Sequence, residues 1–150
     1  GLMLLLYNRL LRRQLYSRCQ FERALQEQLA LNRRFLDGIP SPIFVVGLAG
    51  ELIACNQSYE ERLSVRLERI CGLKVTETNL FSEKQAEQFH RELMQIIQSR
   101  KPYYQKRRVK FKSGAQDIYQ WTVPFYSLSG KLEGLVGGWF DIYEVKKWGL

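Results

Sequence analysis

Few residues in this chain could do chemistry. The one histidine, His90, sits in QFHREL, and the three cysteines, Cys19, Cys55 and Cys71, stand far apart with no CxxC pair. An odd number of scattered cysteines argues against a disulfide framework or a zinc site and fits a reducing compartment. The chain has no GxSxG for acyl transfer, no HExxH for a hydrolytic metal and no glycine-rich loop to cradle phosphates. What remains is thiol and imidazole. Cys55 precedes Asn56 where a strand gives way to a helix, so a change in thiol state could disturb the helix cap. The plain alternative is a small buried hydrophobe. His90 falls on one helical face with Ala86, Leu93 and Ile97, which suits a half-buried or interface imidazole. With Phe44, Phe89, Trp121 and Trp139 it also outlines a candidate small-molecule pocket, although aromatic residues at strand spacing more commonly make plain core.

A legible order of elements positions those side chains. PIFVVGLAGELIACN reads as a hairpin, with β-prone runs Ile43 to Val46 and Glu51 to Cys55 around a turn at Gly47 to Gly50. Asn56 can cap the helix that begins in QSYEERLSVRLERI, and Cys71-Gly72 marks a break. Ser82 precedes EKQAEQFHRELMQIIQ, a helix whose apolar face is Ala86, Phe89, Leu93, Ile96 and Ile97. After Pro102, YYQKRRVKFK alternates: Tyr103, Gln105, Arg107, Val109 and Phe111 share one side, and the other is strongly basic. Ser113-Gly114 turns the chain into a strand with Tyr119, Trp121, Val123 and Phe125 on one face. Ser129-Gly130 turns it again, into a strand from Leu132 to Ile142 whose Gly134, Gly137 and Gly138 permit close approach of backbone or ligand. Five strands in one antiparallel sheet must bury a face, and the intervening helices can cover it, which makes the fold α+β.

Upstream, the chain is apolar from Leu2 to Leu6 and basic at Arg9, Arg12, Arg13 and Arg18. That order is wrong for a signal peptide and suits the cytoplasmic end of a membrane helix; a buried or frayed N-terminal helix is the plain alternative. No proline or glycine interrupts Leu11 to Leu36. Leu11, Leu15, Leu25, Leu29 and Leu36 lie on a seam of alternating four- and three-residue steps, broken by Arg18, Glu22 and Asn32. The seam predicts a parallel helix pair and hence a homodimer; one amphipathic helix packed on its own domain fits the same spacing. The formal charge of +8 has a partly local origin, since seven of the 23 basic residues fall in residues 1–34. RVKFKSG lacks the glycine–aromatic spacing of an RNA-recognition motif, so no nucleic acid is expected as a partner.

From about residue 35 to 145 the chain resembles the PAS domains. The resemblance rests on IPSPIFVV leading into the first strand, Asn56 closing the second and Asp141-Ile142 ending the last. More narrowly, YQWTVPF followed by LSGKLEGLVGGWFDI is similar to the PAS domain of unorthodox hybrid sensor histidine kinases of the BvgS and EvgS type. The resemblance implies a PAS fold: a five-stranded antiparallel sheet covered by short helices, behind a long N-terminal helix. It also implies a layout. Residues 1–8 would be the cytoplasmic end of a transmembrane helix, 9–37 a coiled-coil linker helix, 38–143 the PAS domain and 144–150 the start of an outgoing helix. Periplasmic sensor domains would lie upstream, and a kinase with phosphorelay modules downstream, in a protein of the bacterial inner membrane. Asp141 and Ile142 would couple the last strand to the outgoing helix, with Tyr143 standing where the family commonly has threonine or serine.

The same resemblance links a cysteine at the position of Cys55 to quinone redox state, so Cys55 and Asn56 become candidate redox and signalling residues. Some PAS domains ligate haem through a histidine on the helix that carries His90; neither haem nor quinone is expected as a resident cofactor here. QFHREL is like a kinase phosphoacceptor box only superficially, because Glu and Arg stand in the reverse order and no proline follows. The expectation is therefore a non-catalytic, dimeric relay within an ATP-dependent histidine kinase. The alternatives are a PAS domain that senses its own small molecule or cofactor, and a basic nucleic-acid-binding domain.

Overall fold

Residues 1–14 and 37–143 are described by the computed structural model. The chain divides into two compact units, Gly1–Phe35 and Leu36–Leu150. In the first, residues 2–14 form helix α1, which carries Leu11; Leu15, Leu25, Leu29 and Leu36 of the heptad seam lie outside the described residues. Among the described residues no helix is long and apolar enough to cross a membrane.

The second unit is a five-stranded sheet in the order β2-β1-β5-β4-β3, with every neighbouring pair antiparallel. The strands are β1 (Ile43–Gly47), β2 (Leu52–Cys55), β3 (Tyr103–Phe111), β4 (Gly114–Tyr126) and β5 (Leu132–Asp141). The last strand therefore lies at the centre and pairs with the first. Two tight hairpins connect β3, β4 and β5, and positive-φ Gly114 and Gly130 supply the turn conformations that side chains resist. β3 forms one edge, and its outward Lys106, Arg108 and Lys110 are exposed. Such a charged row discourages pairing with other chains.

Between β2 and β3 the chain forms α2 (Gln57–Leu63), α3 (Leu67–Ile70), a 3₁₀ turn (Val75–Glu77) and α4 (Glu83–Ser99), which lie over the inner face of the sheet. The helical run in QSYEERLSVRLERI is divided in two. Ser64 adopts the left-handed conformation and donates its N–H back to the carbonyls of Glu60 and Glu61, closing α2. The Glu60 carboxylate then accepts from the Leu67 N–H at 2.9 Å and starts α3. Ser82 caps α4 by accepting from the Gln85 N–H at 3.3 Å, and Arg100 ends it in the left-handed region. Leu135, Val109, Ile118 and Cys55 lie at the centre of the core, with Trp139 and Ile70 around them.

Candidate functional site

The inner face of the sheet and its helical cover enclose a cavity with about 80 Å³ open to the centre of a water molecule. One water needs roughly 10–15 Å³ of such space, so the cavity exceeds a single solvent site. Its wall is largely aromatic. Trp139 stacks on Phe111 with ring centroids 5.7 Å apart and meets Tyr59 edge-on at 5.6 Å, while Phe81 and Phe89 pack edge to face at 5.0 Å. Gly137 makes this possible, because a Cβ there would run into the ring of Phe44. The bare glycine lets Phe44 lie against the sheet.

The polar groups on the wall divide into matched and unmatched. Glu92 of α4 accepts two hydrogen bonds from Arg107 of β3, at 2.5 and 3.0 Å. The Arg107 guanidinium also lies over the Phe89 ring, 4.9 Å from its centroid, and donates to Gln120 at 3.3 Å. By contrast, Thr122 Oγ1 and Trp139 Nε1 are buried without a hydrogen-bond partner among the described residues. Both phenols on the wall are held neutral. Burial, with a smaller contribution from the Cys55 side chain, pushes Tyr59 well above the usual tyrosine range. Tyr103 is raised by burial and then by Glu92, with Arg107 opposing.

Asn56 stands at the junction of β2 and α2, fully buried. Its Oδ1 accepts from the Ile43 N–H at 2.9 Å and the Tyr59 N–H at 3.0 Å; its Nδ2 donates to the carbonyls of Ser41 at 2.8 Å and Ile39 at 3.3 Å. One side chain thus caps α2, fixes the start of β1 and secures the segment leading into it. Cys55 beside it is equally buried, in the core and not on the cavity wall. Cys71 is exposed.

At the other end, β5 finishes at Asp141 and residues 142–143 are helical. The Asp141 carboxylate pairs with Arg62 of α2, which also bonds the Gln116 side chain of β4. The same guanidinium lies 5.6 Å from the centroid of Phe111, the ring that stacks on Trp139.

Of the residues expected in the pocket, Phe44, Phe89 and Trp139 line the cavity, and His90 and Trp121 do not. Trp121 requires a correction. It stands opposite Gly138 in the β4–β5 ladder, one residue out of phase with inward-facing Trp139 opposite Gln120, so its ring lies on the other face of the sheet. A Cβ on Gly138 would come within 2.9 Å of that ring. His90 packs instead against the β1–β2 turn: a Cβ on Gly50 would lie 3.0 Å from its Cε1, and its Nδ1 is buried without a partner among the described residues. A histidine off the cavity wall does not fit axial ligation of a haem inside it. Thr122, Gln120, Glu92, Arg107 and Arg62 escaped the sequence reading. Strand parity could have supplied Gln120 and Thr122, which share the face of inward Ile118.

This strand order, with helices bracketing a cavity on one face of the sheet, is that of a PAS domain. The PAS_4 family, described as the PAS fold, matches residues 36–147, and the chain belongs to it. Among individual proteins, the chain is 35% identical over 136 residues to the virulence sensor protein BvgS of Bordetella pertussis, and the match covers 89% of this chain and 11% of that one. BvgS of Bordetella bronchiseptica matches at the same identity and coverage. The chain thus spans about a tenth of the length of these relatives. The solved PAS domain of Bordetella pertussis BvgS superposes with a TM-score of 0.70 at 29% identity, covering 82% of this chain and 95% of that one. A phage VqmA in complex with DPO shares the fold at 16% identity, with a TM-score of 0.69 over 81% of this chain and 56% of its own.

Proposed function

We propose that this chain is the cytoplasmic PAS relay of a membrane-bound two-component sensor histidine kinase, working as a homodimer. Signals from periplasmic domains would reach it through the incoming helix and leave through the helix that begins after Asp141, towards a kinase and phosphorelay modules in the same polypeptide. The observation that carries this reading is the tie from Asp141 to Arg62, which holds the end of the last strand against α2. A ligand-independent movement of the incoming helix changes output only if the core has two arrangements and the exit differs between them. An ion pair of intermediate exposure at the exit can be made in one arrangement and broken in the other.

The test uses the full-length parent. Asp141→Asn and Arg62→Gln are each expected to shift kinase output away from its wild-type setting and to blunt the response to stimulus; wild-type behaviour in both would reject the relay. Charged substitution at Leu25 or Leu29 is expected to abolish dimerisation in light scattering. Cys55 as a redox element is a further part of this reading. Because it is buried, it would react only when the core opens, so Cys55→Ala should alter a slow response to oxidants or quinone analogues. An unchanged response removes it.

A second reading is favoured by the cavity itself: a PAS domain with a small-molecule input of its own, added to the relayed one.

A further inference from the structure

We infer that the open edge of β3 is a docking site for an extended acidic segment of a partner polypeptide, which joins the sheet there as a further strand.

The first observation is charge. Residues 100–113 carry seven basic side chains and no acidic one, close to the net charge of +8 of the whole chain. Along β3, Lys106, Arg108 and Lys110 share the outward face and are exposed. Arg107, of the opposite parity, turns inward and is taken by Glu92. The outward row meets one carboxylate across the hairpin, Asp117, in a pair whose partners are 66% and 58% exposed. A pair so wet competes weakly with an incoming charge.

The second observation is the backbone. Gln85 of α4 accepts from the Lys110 N–H at 3.1 Å and donates to the Lys110 carbonyl at 2.9 Å. Both backbone groups of Lys110 therefore point away from β4. Backbone direction alternates along an antiparallel ladder, and β3 and β4 stay in step from Tyr103 to Phe111. Tyr104, Lys106 and Arg108 thus turn their N–H and C=O groups to the same side, where β3 ends the sheet. Gln85 closes one end of that edge as a strand would. The three residues beyond it have no backbone partner on this side among the described residues.

Together the two observations select the occupant. An added strand bonds the edge through alternate residues, whose side chains fall on the outward face beside Tyr104, Lys106 and Arg108. The next one in the same row meets Lys110. Opposite charges directly across two strands attract, and like charges repel. A second copy of β3 would bring lysine and arginine against the row, so the occupant is not this strand again. A nucleic acid or an anionic lipid surface could meet the side chains, but neither offers alternating donors and acceptors to the edge. A segment with carboxylates at alternate positions supplies both. Opposite Tyr104, which is 58% exposed, an aromatic or β-branched residue extends the contact.

The experiment titrates the isotope-labelled 150-residue chain with a short peptide in which glutamate alternates with valine. Its controls are the same peptide with glutamine for glutamate, the acidic peptide N-methylated at its glutamates, oligothymidylate, and vesicles of mixed phosphatidylcholine and phosphatidylglycerol. The acidic peptide is expected to slow exchange of the Tyr104, Lys106 and Arg108 amide protons. It should bind about tenfold more tightly than its glutamine counterpart, as three opposite-charge pairs would give. N-methylation should abolish the protection, because methyl groups replace the donors that face β3. Gln85→Ala should extend peptide-induced protection to the Lys110 amide, a response that a purely ionic surface does not make. Lys106→Glu combined with Lys110→Glu changes only exposed side chains, and should reject the acidic peptide and accept one with lysine in place of glutamate. Equal binding of the glutamine peptide overturns the acidic class, and equal binding of the N-methylated one overturns strand addition. Tighter binding of the oligonucleotide or the vesicles gives the row to a phosphate surface and overturns the proposal. If no peptide alters these amides at millimolar concentration, the row only keeps other chains off the edge, and the proposal fails.

Discussion

Asn56 and Asp141 stand at opposite ends of the same domain, and each ties a strand to α2. Asn56 is 0% exposed and has its acceptor and both amide hydrogens engaged with backbone. Asp141 and its partner Arg62 are 22% and 25% exposed, charged, and linked side chain to side chain. A neutral, buried, fully satisfied side chain has no second arrangement of comparable energy, because any movement strands several backbone groups at once. A partly exposed ion pair can have one, since water reaches both partners and can take up either charge. The first joint fixes the fold and the second is the one that water can open, which is the division of labour the proposed relay needs.

Asn56→Ala is the sharpest way to break the comparison. It removes the α2 cap and leaves the Ile43 N–H and Ser41 carbonyl unpaired in the interior, so a loss of about 3–5 kcal/mol is expected in urea denaturation. Asn56→Asp sharpens the point, since it keeps an acceptor for the two N–H groups but turns a negative charge on the Ser41 and Ile39 carbonyls. It should cost nearly as much at neutral pH. A loss under about 1 kcal/mol for Asn56→Ala would show that the joint is not fixed by this residue.

Between the two joints lies a third, Arg107 with Glu92, at 14% and 12% exposure. Removing one partner strands the other beside the Phe89 ring, and Glu92→Ala is expected to cost about 2–4 kcal/mol. The double substitution Arg107→Met, Glu92→Met should recover most of that loss, because two apolar side chains of similar length leave no buried charge. If the double variant is no more stable than either single one, the pair contributes more than its own desolvation, and exposure does not rank these joints.

How much of this was legible in the sequence follows from how local each signal is. The caps at Asn56 and Ser82 act on N–H groups three residues away, and the alternation of β3 is written in consecutive residues, so both were readable. The break at Ser64 was not. It depends on a left-handed residue and on a Glu60 carboxylate reaching Leu67, where the composition reads as continuous helix. Trp121 reads as core-facing because Tyr119, Trp121, Val123 and Phe125 look more like a buried row than Gln120 and Thr122 do. The sheet instead turns its polar row inward at the cavity, and local rules fail where a site is built. Asp141 was picked out through resemblance alone; Arg62, 79 positions away in the chain, has no local mark at all.

Asp141→Asn belongs lower on the scale. Its expected cost is about 1 kcal/mol, since water can solvate Arg62 once the pair is lost. The structural change should be smaller than that of Glu92→Ala, while the change in output of a full-length parent is larger. That inversion is the signature of a movable joint. A stability loss as large as that of Asn56→Ala, with unaltered output, would make the two joints equivalent.

The smallest effect belongs to the pair on the outward face of the edge hairpin. Arg108 and Asp117 lie 3.2 Å apart but are 66% and 58% exposed. Both side chains give up rotamer freedom to hold one geometry in water, and salt screens what they gain. Arg108→Ala is expected to change stability by less than about 0.5 kcal/mol, with the difference vanishing at high ionic strength. A measured cost that persists in 1 M salt would require something other than this ion pair to be seated on the basic face of β3, because at that ionic strength a Debye length of about 3 Å leaves almost nothing of an exposed Coulombic term.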